Sequence, residues 1–409
     1  MSARWREGAA WPLAGFALVH LFIFAVLFRT VYTVHVNGTT VFFGYASKVV
    51  AGQVPYRDFP LEYPPLALVF FTLPRLVASN FPDYNVAYHA QVTIWNLIVL
   101  ATLTAMARRA NGRPTIVLGA YTIFVLAVGP IILDQFDIFP AAMTLFAVYA
   151  FQRGRSNAGW VALTLGTLTK LYPLLLVPVF ALPALRRRDV AALRRSVLVC
   201  IATAVIALLP LLVVAPASIF RFLAYHSNRG IQIESTYAGL LLAADKWHLI
   251  HVGIGYGFGA WNVTGTIPDV VTPLSALLLL GTVGTSWLFI DRRMVARGGD
   301  STRDVTFNAA ACALVLCGAL LTSKVLSPQY LIWLVPLLPL VTHERQLIWP
   351  VFTLIGVMTH YIFPANYDRF IFGNAGDVIT VLILRNLLLI PLGLLLARSL
   401  GRTRVMDAA

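Results

Sequence analysis

Charged side chains are scarce in this chain. Only 12% of its 409 residues are Asp, Glu, Lys or Arg, and 59% are hydrophobic, whereas a soluble globular domain carries about 25% charged residues. A water-soluble enzyme or binding module is therefore excluded. Cysteine is nearly absent: Cys200, Cys312 and Cys317 lie singly in apolar runs. An odd count without C-x-x-C spacing excludes a disulfide framework or a cysteine zinc site, so the three are expected as small core residues. The eight histidines show no H-x-x-x-H spacing, which removes the usual histidine metal centre. His20 reads as a satisfied core residue of the first span. No internal repeat is visible, which counts against an inverted-repeat transporter.

What the chain does have is apolar runs near 20 residues long from end to end, the mark of a polytopic helical membrane protein. The first run, 11–28, follows a basic start at Arg4 and Arg6 but lacks a small-residue cleavage site, so it is expected as a retained span. The net charge of +14 would point to nucleic acid in a soluble protein. Here 20 of the 31 basic residues fall in seven clusters between apolar runs: Arg4/Arg6, Arg108/Arg109/Arg113, Arg153/Arg155, Arg186 to Arg195, Arg292 to Arg303, Arg345, and Arg398 to Arg404. Such clusters report cytoplasmic loops and contact with anionic headgroups rather than nucleic-acid binding.

Connecting these clusters two at a time predicts twelve spans with both termini inside: 11–30, 84–107, 115–133, 138–151, 157–169, 171–185, 195–215, 270–290, 305–322, 329–342, 347–363 and 377–397. Two choices come from charge. Making 66–78 a span would carry Arg108, Arg109 and Arg113 outside, so this Pro-interrupted stretch is expected as an interfacial helix. A single helix over 157–185 would misplace Arg186 to Arg188, so the chain is expected to break at Lys170-Leu-Tyr-Pro173 into two short helices. Such breaks are tolerated where protein or a water-filled cavity covers the freed backbone.

This topology makes residues 1–409 one integral-membrane domain with two long outer segments, 31–83 and 216–269. Ten of the 17 acidic residues fall outside: Asp58, Glu62, Asp83, Asp134, Asp137, Glu234, Asp245, Asp269, Asp368 and Asp377. The cytoplasmic loops are too short for a domain, so chemistry is expected on the outer face, with 31–83 as the catalytic loop and 216–269 as the substrate-binding one.

Within these loops several groups have chemical potential. Asp58 and Glu62 sit in a Pro- and aromatic-rich loop beside the first span, where a carboxylate can act as general base toward a hydroxyl; an Arg57–Asp58 surface pair is the plainer alternative. Asp134 and Asp137, three apart at an outer helix end, suit sugar hydroxyls or, less well, an oxygen-ligated divalent ion; the alternative is a polar turn with Asp137 as N-cap. Lys170, Arg229 and Lys324 are cations in apolar or external surroundings, two of them beside helix breaks. A lipid-linked phosphate is a natural partner for them, and internal pairing with Asp134, Asp137 or Glu234 is the alternative. Arg229, Gln232 and Glu234 lie in a polar island, 226–235. Ser327-Pro-Gln-Tyr330, which carries Gln329 and Tyr330, opens a helix with Pro in its first turn and leaves N–H groups free for an anion or hydroxyl.

Five stretches carry a family likeness: Gly52-Gln-Val-Pro-Tyr-Arg-Asp-Phe-Pro-Leu-Glu-Tyr-Pro-Pro65, Gln135-Phe-Asp-Ile-Phe-Pro140, Lys170-Leu-Tyr-Pro173, Arg229-Gly-Ile-Gln-Ile-Glu-Ser235 and Ser327-Pro-Gln-Tyr-Leu-Ile-Trp333. With them the chain resembles the polytopic GT-C glycosyltransferases, in particular the actinobacterial-type mannosyltransferases and arabinofuranosyltransferases that use polyprenyl-phosphate sugars. The resemblance implies a multi-pass enzyme of a bacterial cell membrane, an extracytoplasmic active site and a donor such as polyprenyl-phosphate-mannose. It also implies inverting attack by a glycolipid or cell-envelope glycan hydroxyl, with the family's first-loop Asp mapping onto Asp58. No cofactor is implied, and a divalent metal is left open. Members acting on inositol-mannoside lipids often have a histidine-bearing stretch where this chain has Ser327-Pro-Gln-Tyr330, so the acceptor is not transferred. A flippase of lipid-linked glycans is the alternative from another class. It requires titratable residues deep in several spans, and the acids here cluster outside instead. A ligase moving whole glycans would need a larger, more Arg-rich outer loop.

Overall fold

The structure is a computed structural model that describes residues 10–30, 38–109, 113–298, 303–373 and 375–402, without the side chains of residues 224, 226 and 227. Arg4, Arg6 and Arg404 of the basic clusters, and positions 31–37 of the first outer segment, lie outside the described residues.

The expected all-α polytopic architecture is what forms. Seven helical segments are long and apolar enough to cross a bilayer: Trp11–Thr30, Phe81–Arg109, Val190–Val214, Thr266–Ala296, Val305–Thr322, Arg345–Ala365 and Gly376–Gly401. The remaining five predicted spans are shorter. Pro114–Val128 begins with Pro at the first turn, where its missing N–H costs nothing. It ends at Gly129, whose φ of 76° stops the helix and where a Cβ would stand 3.0 Å from the His360 ring. Ile138–Gln152 and Ser156–Thr169 follow. The break at Lys170 is present: the residue is extended, a 3-10 turn covers Tyr172–Leu176, and Val177–Arg186 completes the pair. The predicted span 329–342 differs. It winds as two 3-10 turns, Pro328–Trp333 and Leu338–Leu340, because its prolines remove the N–H groups that α-helical bonding needs.

Aspartate and serine caps fix several helix starts. Asp189 accepts from Ala192 N at 2.9 Å, Ser235 from Ala238 N at 3.2 Å, and Asp304 from Phe307 N at 3.0 Å. Val305–Thr322 runs through the centre of the bundle, with Asn308, Cys312 and Cys317 buried along it. Val190–Val214 buries no residue and presents Val197, Ile201, Ile206 and Val213 outward, the pattern of a helix whose solvent is lipid. His20 is buried and satisfied, 2.9 Å from Thr122 and 3.0 Å from Asn96.

The two segments expected on the outer face are structured. Gly38–Val50 and the nine-residue Ala67–Arg75 bracket the Asp58 loop. The latter is too short to span and buries one face through Leu68, Phe70 and Phe71. Segment 216–269 holds a small antiparallel sheet that the sequence reading did not foresee, in the order Ile231–Gln232, Ala260–Thr264, Gly253–Gly257. Its hairpin turns on Phe258-Gly259, both at positive φ, which matches the twist of tight hairpins. The sheet and the helix Thr236–Lys246, which follows its first strand, bury Ile231, Ile233, Leu242 and Val263 against Ile362, Phe370, Ile379 and Leu382, a second core beside that of the bundle.

Charge divides the molecule end from end. Arg297 pairs with Asp304 at 3.0 Å, Arg402 with Glu344 at 2.5 Å, and Arg186 with Asp291, all at the end where the Arg-rich loops gather. The carboxylates Glu62, Asp134 and Asp137 sit at the opposite end.

Candidate active site

The Asp58 loop is built on itself. Tyr56 adopts φ 65°, its amide donates to Phe59 O at 2.9 Å, and its hydroxyl donates to Tyr63 O at 2.6 Å. Asp58 Oδ2 accepts the Val54 amide at 2.7 Å, while Arg57 grips both carboxylate oxygens, Nε to Oδ1 at 2.8 Å and Nη2 to Oδ2 at 3.0 Å. The Arg57 bonds, then the Val54 amide, hold the carboxyl down to about 2. Asp58 is thus an exposed, ionised acceptor on the rim, and the surface pair with Arg57 is realised. Arg221 anchors the loop to segment 216–269 by donating to Tyr56 O at 3.0 Å.

Glu62 turns inward from the same loop. Its Oε2 accepts the Tyr225 hydroxyl at 2.6 Å. Burial and then the Glu62 charge push the Tyr225 phenol upward, so it stays a proton donor. The tip of the hairpin closes over this pair: a Cβ on Gly259 would stand 3.1 Å from Glu62 Oε2 and 3.4 Å from the Tyr225 oxygen.

From Tyr63 the site continues through a stacked aromatic wall. Tyr63 packs edge-on to Phe136 at 4.9 Å. Beside Phe136, Asp137 does not cap its helix. Its side chain is fully buried, and Oδ1 receives Lys170 Nζ and Trp333 Nε1, each at 2.6 Å. The Lys170 ammonium also lies 4.5 Å from the Phe136 centroid, 4.8 Å from Tyr330 and 5.6 Å from Trp333. Internal pairing is therefore what Lys170 does, and Asp137 Oδ2 keeps no partner among the described residues. Asp134 points elsewhere, to His89 Nε2 at 2.8 Å.

The polar island docks onto the 323–328 turn. Gln232 N donates to Lys324 O at 2.9 Å, and the Leu326 amide donates to Gln232 Oε1 at 2.9 Å. This places Arg229 beside Lys324, whose ammonium is lowered by burial and then by the Arg229 charge. Arg229 is buried, with Nε unpartnered among the described residues. Glu234 is sealed behind them, 1% exposed, bonded through Oε2 to Gln232 Nε2 at 2.8 Å. Burial pushes its carboxyl up to about 7 against the opposing pull of Arg385, Gln232 and Arg229. Its backbone oxygen accepts from Arg385 and Asn386, both at 3.2 Å. Gln329 and Tyr330 ride half-buried on the first 3-10 turn, with Tyr330 stacked on Trp333 at 4.3 Å.

Glu62, Asp137, Lys170, Arg229, Lys324 and Tyr330 thus come from five separate stretches to one end of the bundle, with Asp58 on the rim. Asp134 and Glu234 hold neighbouring elements in place. The model of glycosyltransferase family 87 matches residues 61–328, two thirds of the chain. The chain belongs to glycosyltransferase family 87. The matched stretch begins three residues after Asp58 and ends at Pro328, so it holds all of the gathered charges except Asp58. No curated protein matches the chain. A family 87 glycosyltransferase in the membrane would use a sugar donor and an acceptor, and the candidate site for them is this end of the molecule. His89, Tyr225, Trp333 and Arg385 are parts of it that sequence reading did not single out.

Proposed function

We propose that the protein transfers mannose from a polyprenyl-phosphate-linked donor to a hydroxyl of a glycolipid or cell-envelope glycan, on the extracytoplasmic face of a bacterial membrane and with inversion. The observation that carries this reading is the meeting of two cations, the buried Arg229 and the half-buried Lys324, with an aromatic wall and carboxylates at the end of the bundle opposite the Arg-rich loops.

In this reading Asp58 takes the proton of the acceptor hydroxyl. The acceptor oxygen bonds to the anomeric carbon as the bond to the phosphate oxygen breaks, and the electron pair leaves with polyprenyl phosphate. Arg229 and Lys324 neutralise that leaving group, the electrostatic share of the catalysis. Glu62, held by Tyr225, accepts sugar hydroxyls, and the Phe136, Tyr330 and Trp333 faces take the apolar side of the ring. Gln329 contributes a polar contact beside them. Lys170 and Asp137 keep the floor neutral and rigid. Both reactants are lipid-bound, so confinement at the membrane surface supplies proximity. The Asp58–Arg57 pair opens when the donor phosphate competes for Arg57, which returns basicity to Asp58.

The test is a panel of radiolabelled polyprenyl-phosphate sugars given to membranes containing the protein together with glycolipid extracts. Mannose transfer without any nucleotide sugar supports the reading; transfer only from a nucleotide sugar or a pyrophosphate-linked glycan overturns it.

A further inference from the structure

An apolar groove of about 530 Å3 runs between Pro114–Val128 and Arg345–His360, at the end away from the candidate active site. Ile123, Leu354 and Val357 line it and are 52%, 48% and 53% exposed, so it opens sideways toward lipid. Its polar mouth is at the start of the second helix, where Arg345, Gln346 and Trp349 line it. The Arg345 guanidinium lies 5.9 Å over the Trp349 ring. Arg345 makes no ion pair among the described residues, because its neighbour Glu344 is taken by Arg402. Pro350 has no N–H, so the Gln346 carbonyl lacks the helical donor it would have four residues on.

We propose that this groove binds an anionic phospholipid of the cytoplasmic leaflet, one hydrocarbon chain lying in the groove and the phosphate on Arg345. Three features converge on that occupant. The walls are hydrocarbon and face the membrane. The charge at the mouth is an exposed guanidinium with no ion pair among the described residues, and such a group forms paired, charge-assisted bonds to phosphate. The mouth lies at the Arg-rich end, where basic pockets between helices take acidic headgroups and Trp marks the interface. The Gln346 carbonyl, without that helical donor, is placed to accept from a headgroup or glycerol hydroxyl. The site is separate from the transfer chemistry, since the helix that starts at Arg345 ends at His360 on the opposite side.

The whole protein in mild detergent, after exchange into nanodiscs of phosphatidylglycerol with phosphatidylcholine, is examined by native mass spectrometry. The wild type is expected to keep one phosphatidylglycerol in preference to phosphatidylcholine. Arg345→Gln should lower that preference about tenfold, and Leu354→Trp, which fills the groove, should lower retention of either lipid. Both positions are exposed, so neither variant is expected to compromise folding. Equal retention of the two lipids by the wild type, or unchanged preference in Arg345→Gln, overturns the proposal. So does a disulfide-linked dimer formed by Leu354→Cys, which would make the occupant a second copy of this chain.

Discussion

Lys170 Nζ stands 2.6 Å from Asp137 Oδ1, and Trp333 Nε1 donates to the same oxygen. The helix break at Lys170 makes this possible, since an extended backbone turns the ammonium inward under the Phe136, Tyr330 and Trp333 rings. Removing one member of a buried pair strands the other charge and costs about 3–5 kcal/mol. Lys170→Met is expected to lower the unfolding temperature of the detergent-solubilised protein markedly, and Lys170→Met with Asp137→Leu to recover most of the loss. Equal stability of the single variant and the wild type would show that the pair is not sealed.

The hairpin tip gives a second expectation. Gly259 sits at φ 67° directly over Glu62 and Tyr225. Gly259→Ala places a methyl in a left-handed conformation that costs about 1 kcal/mol and pushes against the carboxylate. Transfer activity should fall while the fold persists, measured as kcat/KM beside a melting curve. A variant with unchanged kcat/KM would separate the hairpin from the site.

Glu234 makes stability depend on pH. Its folded carboxyl is raised to about 7 from an ordinary 4.5. A raised carboxyl favours the protonated folded form, so that stabilisation is complete below pH 4.5 and is lost as pH rises through about 7. The melting temperature should decline between pH 5 and 8, and Glu234→Gln should flatten the decline. An identical slope in the variant would assign it to another group.

Asp58 works in the opposite direction. Arg57 depresses its carboxyl to about 2, so the pairing is intact above the ordinary carboxylate range and is lost as pH falls toward 2. In the free protein the ionised Asp58 carboxylate persists throughout the neutral range. Arg57→Gln is expected to move the acid limb of kcat/KM upward, toward about pH 4. An acid limb that stays in place would detach Arg57 from the base.

Much of the architecture was legible because a bilayer imposes length and charge rules on sequence. The break at Lys170 followed from the need to keep Arg186 to Arg188 with the other basic loops, and the structure has it there. The sheet was not legible. Its strands are two and five residues long, too short for a period to stand out, and Gly, a residue depleted in strands, holds three of the five positions of Gly253-Ile-Gly-Tyr-Gly257. The 3-10 winding at 328–340 was hidden for a related reason, since a uniformly apolar stretch shows no period. In the site, motif residues came into view one loop at a time, but their partners came from distant elements. Tyr225 is 163 residues from Glu62, and Trp333 is 196 from Asp137. Arg385 lay inside what read as an apolar span, where nothing local announces that its partner is the Glu234 backbone.

The central claim is that Asp58 accepts the acceptor's proton at a site fed by a polyprenyl-phosphate sugar. The most direct measurement is transfer of radiolabelled mannose from polyprenyl-phosphate-mannose by membranes bearing Asp58→Asn, at matched expression. The account predicts that transfer falls at least about 100-fold while the protein remains folded and in the membrane. Wild-type transfer by Asp58→Asn would contradict it.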